Sequence, residues 1–379
     1  MRILVLSSIK PSKDSGGPPS LLWMCLEALN KKFTHVELKV ICETKLAIFK
    51  KLYKLSRLGI LSKKLEIANE SYDYILVFPF YLAININRKH RSNLIVLGPD
   101  SCSLLFARTA KTSTNIFSKF KYGILYRWFL LKEKEILSDC VSLMVVGQND
   151  RRWLMGNVST YANDKLTYLP HPVLMEVVNS SNIRHIDRIH IKPGQKTIIF
   201  SGDLDEKYVG KLIHDSIFYL EKICNKYNSE IVVLGKRNYW VYNLLLSSKI
   251  DRNSIRCIDW VENYNEICDP QRHIHVVPLV NGAGTKNRVL TACALGVSVV
   301  TTPVGFENIF YYKPVNLVKK FSRPEILYTH LEFLISKADK SIETSALLHF
   351  SESTNFLFES IFLDQFCKDI GTSNLHSTG

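Results

Sequence analysis

Short apolar runs alternate along the chain with longer segments in which apolar residues recur at helical spacing. Residues 2–8 form the first run, and its aliphatic residues predict a buried strand. Glycines, prolines and a serine follow, and a helical pattern then continues to Leu29, so we expect a loop and a helix next. Further strands are predicted at 36–41, 74–78, 94–97 and 142–146. Because helical patterns separate these strands, residues 1–175 predict a parallel α/β sheet.

A second series of strands and helices begins after residues 176–195, whose polar composition predicts a linker. Its strands are expected at 197–201, 231–234, 274–279 and 298–302. The predicted fold class is α/β, with two Rossmann-like lobes that each contain a doubly wound parallel sheet. The predicted organisation is an N-terminal lobe at 1–175, the linker at 176–195, a C-terminal lobe at 196–350, a C-terminal helix at 351–371 and a frayed tail at 372–379.

The composition and the distribution of charge indicate a class of binding partner. The 379 residues are 46% hydrophobic, which excludes a disordered or fibrous protein. The net charge is +14, and residues 1–175 hold 26 basic and 13 acidic residues, so nearly all of the excess lies in the first half. This asymmetry favours a polyanionic partner such as nucleic acid, an anionic membrane surface or a phosphorylated acceptor. A merely basic surface is the alternative.

The cysteines and the hydropathy bear on location. Nine cysteines are present without a CxxC pair, which is typical of reduced, buried thiols in a cytoplasmic protein. The first apolar run is too short for a signal peptide, and no stretch of about 18 apolar residues occurs. We therefore expect a cytoplasmic protein that does not span a membrane.

Two basic segments with apolar residues at helical spacing account for the charge of the first half. Segments of this kind bind the surface of anionic bilayers. In the first, at 46–65, membrane contact is predicted for Phe49, Lys50, Lys51, Lys54 and Arg57. The second, at 115–136, contains Glu133 and Glu135, and at least part of it is expected to pack on the sheet. Because large apolar residues alternate with the cations and no nucleic-acid motif is present, we expect a membrane surface and no nucleic acid.

A glycine loop between a strand and a helix carries the clearest chemistry. Gly282, Ala283 and Gly284 follow the strand at 274–279, and Thr285 opens a helix with Lys286 and Arg288 in its first turn. Glycines allow backbone N–H groups to approach an anion, and the helix start and the two cations attract a diphosphate. The loop therefore predicts a phosphate site. A tight turn with two solvated cations is the alternative.

This segment resembles the donor-binding signature of the group 1 glycosyltransferases, in glycosyltransferase family 4. The residues that carry the resemblance are Pro278, Gly282, Gly284, Lys286, Arg288, Ala292, Gly296, Val299, Val300 and Gly305 to Glu307. The resemblance implies a GT-B fold with an interlobe cleft, a nucleotide-sugar donor, retention of anomeric configuration and no catalytic metal or other cofactor. It further implies a glycan or lipid-linked acceptor, as in lipopolysaccharide, O-antigen or capsule-type polysaccharide biosynthesis.

The resemblance also assigns roles to residues. It makes Asp100, Lys286 and Arg288 the catalytic candidates and places Gly16 and Gly17 at the acceptor side of the cleft. Donor contacts are expected from Gly202, Lys236, Val261, Gly282, Ala283, Gly284, Thr285, Thr291 and Glu307. Asp100 and Glu307 could instead cap helices, and His171, between two prolines, is interpreted as a structural histidine.

One departure keeps other functions open. The family usually has a glutamate where this chain has Thr291, and threonine lacks the charge-assisted contact to the ribose hydroxyls. The alternative function is a catalytically degenerate homologue that binds a nucleotide sugar or scaffolds a glycan assembly complex. A nucleotide-sugar epimerase or hydrolase on the same fold is a further rival. A nicotinamide oxidoreductase is disfavoured because its glycine fingerprint is missing.

Overall fold

The computed structural model describes residues 1–13, 17–41, 72–158, 164–173, 196–235, 238–259, 261, 267–309, 317–336 and 344–371, with the backbone alone for 344–356. The predicted linker at 176–195 and the predicted frayed tail lie outside these residues. The described strands are β1 (Ile3–Ser7), β2 (Val36–Val40), β3 (Tyr74–Phe78), β4 (Leu94–Leu97), β5 (Ser142–Val145), β6 (Leu166–Tyr168), β7 (Thr197–Ser201), β8 (Glu230–Leu234), β9 (Ile255–Ile258), β10 (His273–Val277), β11 (Ser298–Thr301) and β12 (Val318–Lys320).

The described α-helices are α1 (Gly17–Lys32), α2 (Phe80–Ile84), α3 (Cys102–Thr112), α4 (Ile116–Asp139), α5 (Gln148–Asn157), α6 (Glu206–Tyr227), α7 (Tyr239–Leu246), α8 (Asn287–Ala294), α9 (Pro324–Ser336) and α10 (Thr344–Asp369). Two short 3₁₀ turns lie at Arg88–Asn93 and Arg252–Ser254. None of the described helices is long and apolar enough to cross a membrane.

The chain divides into two compact units. The first comprises Met1–Ala107, Lys121–Pro172 and Asn355–Gly379, and the second comprises Arg108–Phe120 and Val173–Thr354. Each unit contains one six-stranded sheet in which all the strand pairs are parallel. The predicted α/β fold class with two doubly wound parallel sheets is therefore confirmed.

The sheet of the first unit has the order β2-β1-β3-β4-β5-β6. Successive residues of each strand point to opposite faces, and both faces of the central strands are buried. Leu4 and Leu6 face a core that includes Phe129 of α4, whereas Ile3 and Val5 face α1 and the phenylalanines of α10. The continuous apolar runs in the sequence follow from this burial on two sides.

The sheet of the second unit has the order β12-β11-β10-β7-β8-β9. If β7 to β12 are renumbered 1 to 6 and the sheet is read from the β9 edge, the order is 3-2-1-4-5-6, as in the Rossmann fold. The direction of winding reverses between β7 and β10. Ligands of such sheets bind outside the carboxyl ends of the strands at that reversal. The loops after Ser201 and Val277 are therefore the places at which a site is expected.

Candidate functional site

The loop after β10 has a backbone that depends on its glycines. Gly282 and Gly284 have φ angles of +150° and +66°, which side chains rarely adopt. A Cβ atom on Gly282 would also lie 3.2 Å from Cε of Lys286. Both glycines are buried, and the loop leads directly into α8 at Asn287.

Side chains from several segments hold the carbonyl groups of this loop. Nη1 of Arg108 donates to the carbonyl oxygen of Gly282 at 2.7 Å. Nζ of Lys286 donates to the carbonyl oxygens of Ala283 at 2.6 Å and Gly284 at 2.9 Å. Nδ2 of Asn308, a residue with a φ of +66°, also donates to the Gly284 carbonyl at 3.1 Å. The ammonium group of Lys286 thus stabilises the conformation of the glycine loop.

The start of α8 has the properties of an anion site. Lys286 occupies the N-cap position and makes no side-chain cap hydrogen bond. In the part of the chain that the structure describes, the backbone N–H groups of Asn287 and Arg288 have no hydrogen-bond acceptor. The Arg288 guanidinium, which is partly exposed, likewise has no hydrogen-bond or ion-pair partner among the described residues. Among the described residues, positive helix-end charge and a guanidinium therefore lie together with no anionic partner.

Two buried asparagines keep the surrounding loops in place. Asn281 accepts from the Gly282 N–H at 2.8 Å and donates to Oγ1 of Thr109 at 2.7 Å. Asn238 donates to the carbonyl oxygen of Gly202 at 2.9 Å and accepts from the Leu204 N–H at 2.9 Å. Each amide joins segments that are distant in sequence, which is why the sequence analysis missed both.

Glu307 was predicted to contact the donor, and its carboxylate meets a guanidinium instead. Arg108 makes a two-pronged ion pair with it, at 2.6 Å from Nη1 and 2.8 Å from Nη2. The same Arg108 holds the Gly282 carbonyl, so Glu307 orients the residue that supports the glycine loop. A direct contact between Glu307 and a donor remains a prediction.

The remaining predicted donor contacts occupy several places in the second unit. Thr285 and Thr291 are half-buried, before and within α8, and Val261 is half-buried against the core. Gly202 follows β7 with a φ of +134°. Their contacts with a ligand stay predictions, and Lys236 lies outside the described residues.

The predicted residues of the first unit are also accounted for. Gly17 begins α1 with a φ of +58°, and nothing lies within 4 Å of where its Cβ would be. Asp100 is exposed in the loop after β4, and its catalytic role stays a prediction. His171 is buried, its Nδ1 lies 2.8 Å from the Pro172 carbonyl oxygen, and burial lowers its pKa to about 4. Outside the described residues lie Gly16 and the predicted membrane contacts Phe49, Lys50, Lys51, Lys54 and Arg57.

Glu133, in the first unit, is buried, and its contacts were not predicted from the sequence. Oε1 of Glu133 accepts hydrogen bonds from Oγ of Ser101 at 3.1 Å and from the Ser103 N–H at 3.2 Å. Among the described residues its Oε2 atom has no partner, and burial raises the pKa of the carboxyl to about 7. Asp150, also buried, accepts from the Ser101 N–H at 2.8 Å. The start of α3 is thus occupied by acids of the protein itself.

The acids after β7 and the histidines of β10 are of the side-chain types that can bind a metal or transfer a proton. Asp203 and Asp205 are exposed, and Asp205 forms an ion pair with Lys207 at 3.1 Å. Across the described ranges, no group of three or more His, Cys, Asp or Glu side chains could hold a metal ion. Burial lowers the pKa of His275 to about 3 and that of His273 to about 4, so both histidines of β10 are neutral near pH 7.

Solved structures share this arrangement over almost the whole chain. WaaG, a glycosyltransferase involved in lipopolysaccharide biosynthesis, is 14% identical, with 100% of both chains covered and a TM-score of 0.59. HepE from Anabaena, in complex with UDP-glucose, is 10% identical, with 98% of this chain and 100% of its own covered and a TM-score of 0.64.

An epimerase shares the arrangement as well. UDP-GlcNAc 2-epimerase from Neisseria meningitidis, bound to UDP-GlcNAc, is 13% identical, with 97% of this chain and 100% of its own covered and a TM-score of 0.55. No family model matches the chain, and no curated protein matches it. At these identities the likeness establishes the fold. The resemblance to group 1 glycosyltransferases is therefore confirmed at the level of the fold, and the chain has the GT-B fold.

Proposed function

We propose that this chain is a retaining, metal-independent glycosyltransferase that transfers a sugar from a nucleotide-sugar donor to a glycan or lipid-linked acceptor. The products proposed are of the lipopolysaccharide, O-antigen or capsule-type polysaccharide class. The proposed location is cytoplasmic, peripheral on the inner face of the cell membrane. WaaG, which shares the fold, acts in lipopolysaccharide biosynthesis, and the basic excess of residues 1–175 favours an anionic surface.

The observation that carries the proposal is the open start of α8. Its backbone N–H groups at Asn287 and Arg288 and the Arg288 guanidinium are the donors that a diphosphate requires. They lie after β10, next to the reversal of the sheet where Rossmann-like folds bind nucleotides. HepE and the Neisseria epimerase, which have this fold, were solved with UDP-glucose and UDP-GlcNAc.

The same groups can assist the chemistry. As the bond between the sugar C1 and the phosphate oxygen breaks, negative charge accumulates on the departing diphosphate. Donors fixed in advance at the start of α8 stabilise that charge more than they stabilise the intact donor, which lowers the barrier. In the proposed step the acceptor hydroxyl attacks C1 from the face that the diphosphate leaves, and its proton passes to the departing phosphate oxygen. No covalent nucleophile is needed.

The role of Lys286 is narrower than that of Arg288. Its ammonium already holds two loop carbonyls, so we assign it to the shape of the loop and only secondarily to the diphosphate. The Arg288 guanidinium makes no hydrogen bond to the loop or to another described residue. The two cations that the sequence analysis treated as a pair are therefore expected to have separable effects.

A binding screen tests the donor site. We expect one of the UDP, GDP, CMP, ADP and dTDP sugars to raise the melting temperature of the wild type and to bind in calorimetry. Arg288→Ala should weaken that binding by about 10- to 100-fold, because a charge-assisted hydrogen bond contributes about 1.5–3 kcal/mol. Arg252→Ala, an exposed arginine in a 3₁₀ turn, is the matched control and should bind normally. Equal binding by both variants would remove the proposed site.

Product analysis separates transfer from its rivals. With the donor that binds and a lipid-linked acceptor, we expect NMR to show a new glycosidic bond with the donor's anomeric configuration. An epimerised free nucleotide sugar would replace the proposal by the epimerase, and binding without any product would favour the degenerate homologue, with Thr291 as the first residue to restore to glutamate.

A separate experiment tests whether the proposed transfer reaction is independent of metal ions. Asp203 and Asp205 are two exposed carboxylates in the loop after β7. We expect transfer to continue in EDTA and Asp203→Asn to leave the rate within about twofold, since neither carboxylate is assigned to the diphosphate. A rate that falls in EDTA and returns with added Mg²⁺ or Mn²⁺ would contradict metal independence.

A further inference from the structure

One face of α4 carries large apolar side chains in solvent. Phe117 is 82% exposed, Phe120 73%, Ile124 53% and Leu131 64%. At 3.6 residues per turn these four positions fall on one side of the helix. We refer to Phe117, Phe120, Ile124 and Leu131 as the α4 stripe.

The opposite face of α4 accounts for the stability of the helix. Phe129, Ile136 and Leu137 are buried there, and Phe129 stacks on Phe106 with ring centroids 5.1 Å apart. The helix is therefore apolar on both sides, and the α4 stripe is not required to hold it in place. Exposed apolar residues in a contiguous patch commonly mark an interaction site.

The charged residues beside the stripe from Phe117 to Leu131 are basic. The first acid on this face, Glu135, lies one turn beyond Leu131 and is ion-paired with Lys132 at 2.6 Å and Arg91 at 2.7 Å. Residues 101–132 contain six basic residues and no acidic residue. Exposed Lys121 and Arg127 follow Phe120 and Ile124 by one and three positions, which places a cation on each side of the stripe. The pattern is complementary to a surface that is anionic outside and apolar beneath.

We propose that the α4 stripe and its flanking cations dock this protein on an anionic phospholipid bilayer, with the phenylalanine rings at the boundary between headgroups and acyl chains. The inference assigns a surface to the peripheral location proposed above and rests on that part of the proposal alone. The membrane contacts predicted from the sequence, Phe49, Lys50, Lys51, Lys54 and Arg57, lie outside the described residues. A bilayer explains the apolar stripe and the cations together, whereas nucleic acid would leave the stripe in water.

Vesicle co-sedimentation tests the surface. The wild type should bind vesicles that contain phosphatidylglycerol and should bind pure phosphatidylcholine vesicles much less. Phe117→Ser/Phe120→Ser should weaken binding to the anionic vesicles by roughly tenfold or more, because the apolar contact is lost. Lys121→Gln/Arg127→Gln should weaken it by about 30-fold at low salt, since each cation near an anionic surface contributes about fivefold.

Matched controls make the result specific. Phe218→Ser changes an exposed phenylalanine of α6, and Lys211→Gln changes an exposed lysine of the same helix. Both should bind vesicles as the wild type does. All variants should keep the wild-type melting temperature and the wild-type affinity for the nucleotide sugar, so that loss of docking is distinguished from loss of the donor site or of the fold.

Several outcomes would overturn the inference. These are undiminished binding of the Phe117→Ser/Phe120→Ser variant, equal binding to neutral and anionic vesicles, and equal losses in the α6 controls. A wild-type dimer in sedimentation equilibrium that dissociates when the two phenylalanines are replaced would assign the stripe to a second copy of the chain and would also overturn it.

Discussion

The helices α3 and α8 both begin shortly after a strand of a doubly wound sheet, but they differ in what meets their first N–H groups. At α3, Oγ of Ser101 accepts from the Leu104 N–H at 3.2 Å, and Glu133 accepts from the Ser103 N–H. At α8 the N-cap residue Lys286 makes no side-chain cap hydrogen bond within the described residues, and the first turn carries Arg288. A helix start that the protein fills with its own acid has no room for a ligand anion, whereas one left open beside a guanidinium attracts it.

The largest expected effect concerns the acid at α3. Glu133→Ala should lower the free energy of unfolding by about 3 kcal/mol, because it leaves a cavity and deprives the buried Ser101 hydroxyl and Ser103 N–H of their acceptor. Urea unfolding near pH 5.5 measures this. Glu133→Gln keeps an acceptor oxygen and should cost less than half as much. If the alanine variant is as stable as the wild type, Glu133 does not stabilise the start of α3.

The pH dependence of stability should also report the burial of Glu133 at the start of α3. The carboxyl of Glu133 has an ordinary pKa of 4.5, which burial raises to about 7 in the folded protein. The folded state therefore holds a proton that the unfolded state has lost, and this contribution to stability, present below pH 4.5, disappears as the pH rises through 7.

The Glu133→Gln variant isolates that contribution. Between about pH 5 and 8 the wild type should lose about 2–3 kcal/mol of stability relative to this variant. The comparison with the variant is needed because the buried His273 and His275, with lowered pKa values, change stability in the opposite direction at acidic pH. Parallel stability curves for the two proteins would show that Glu133 is ionised at neutral pH.

An acidic residue in the first turn of α8 should make its start resemble that of α3. Asn287→Asp places a carboxylate in the first turn, where it should stabilise the helix by about 0.5 kcal/mol and weaken nucleotide-sugar binding by about tenfold through repulsion of the diphosphate. Asn287→Ser is the uncharged control. Calorimetric affinities for the two variants measure the difference, and equal affinities would indicate that no anion approaches this helix.

The smallest effect distinguishes the two cations. Lys286→Ala should lower the free energy of unfolding by about 1 kcal/mol, since it removes hydrogen bonds to the Ala283 and Gly284 carbonyls. Its effect on donor affinity should be less than that of Arg288→Ala, which leaves stability unchanged. Thermal denaturation and calorimetry of both variants check this, and the reverse order of affinities would contradict the assignment.

The sequence predicted the strand, glycine loop and helix at 274–294 because apolar runs and glycines report local backbone structure directly. It could not separate Lys286 from Arg288, since the direction of each side chain depends on the path of the loop. Arg108 was missed because its partners Gly282 and Glu307 are 174 and 199 positions away. The edge strands β6, β9 and β12 were also missed, because threonine, arginine or lysine interrupts their apolar residues.

The most direct test of the account compares a nucleoside diphosphate with the corresponding monophosphate, using the base that the screen identifies. Calorimetry of the wild type should show tighter binding of the diphosphate, and Arg288→Ala should reduce that preference by about tenfold or more. If the ratio of the two affinities is the same in the variant and the wild type, the second phosphate does not meet Arg288, and the start of α8 is not the donor site.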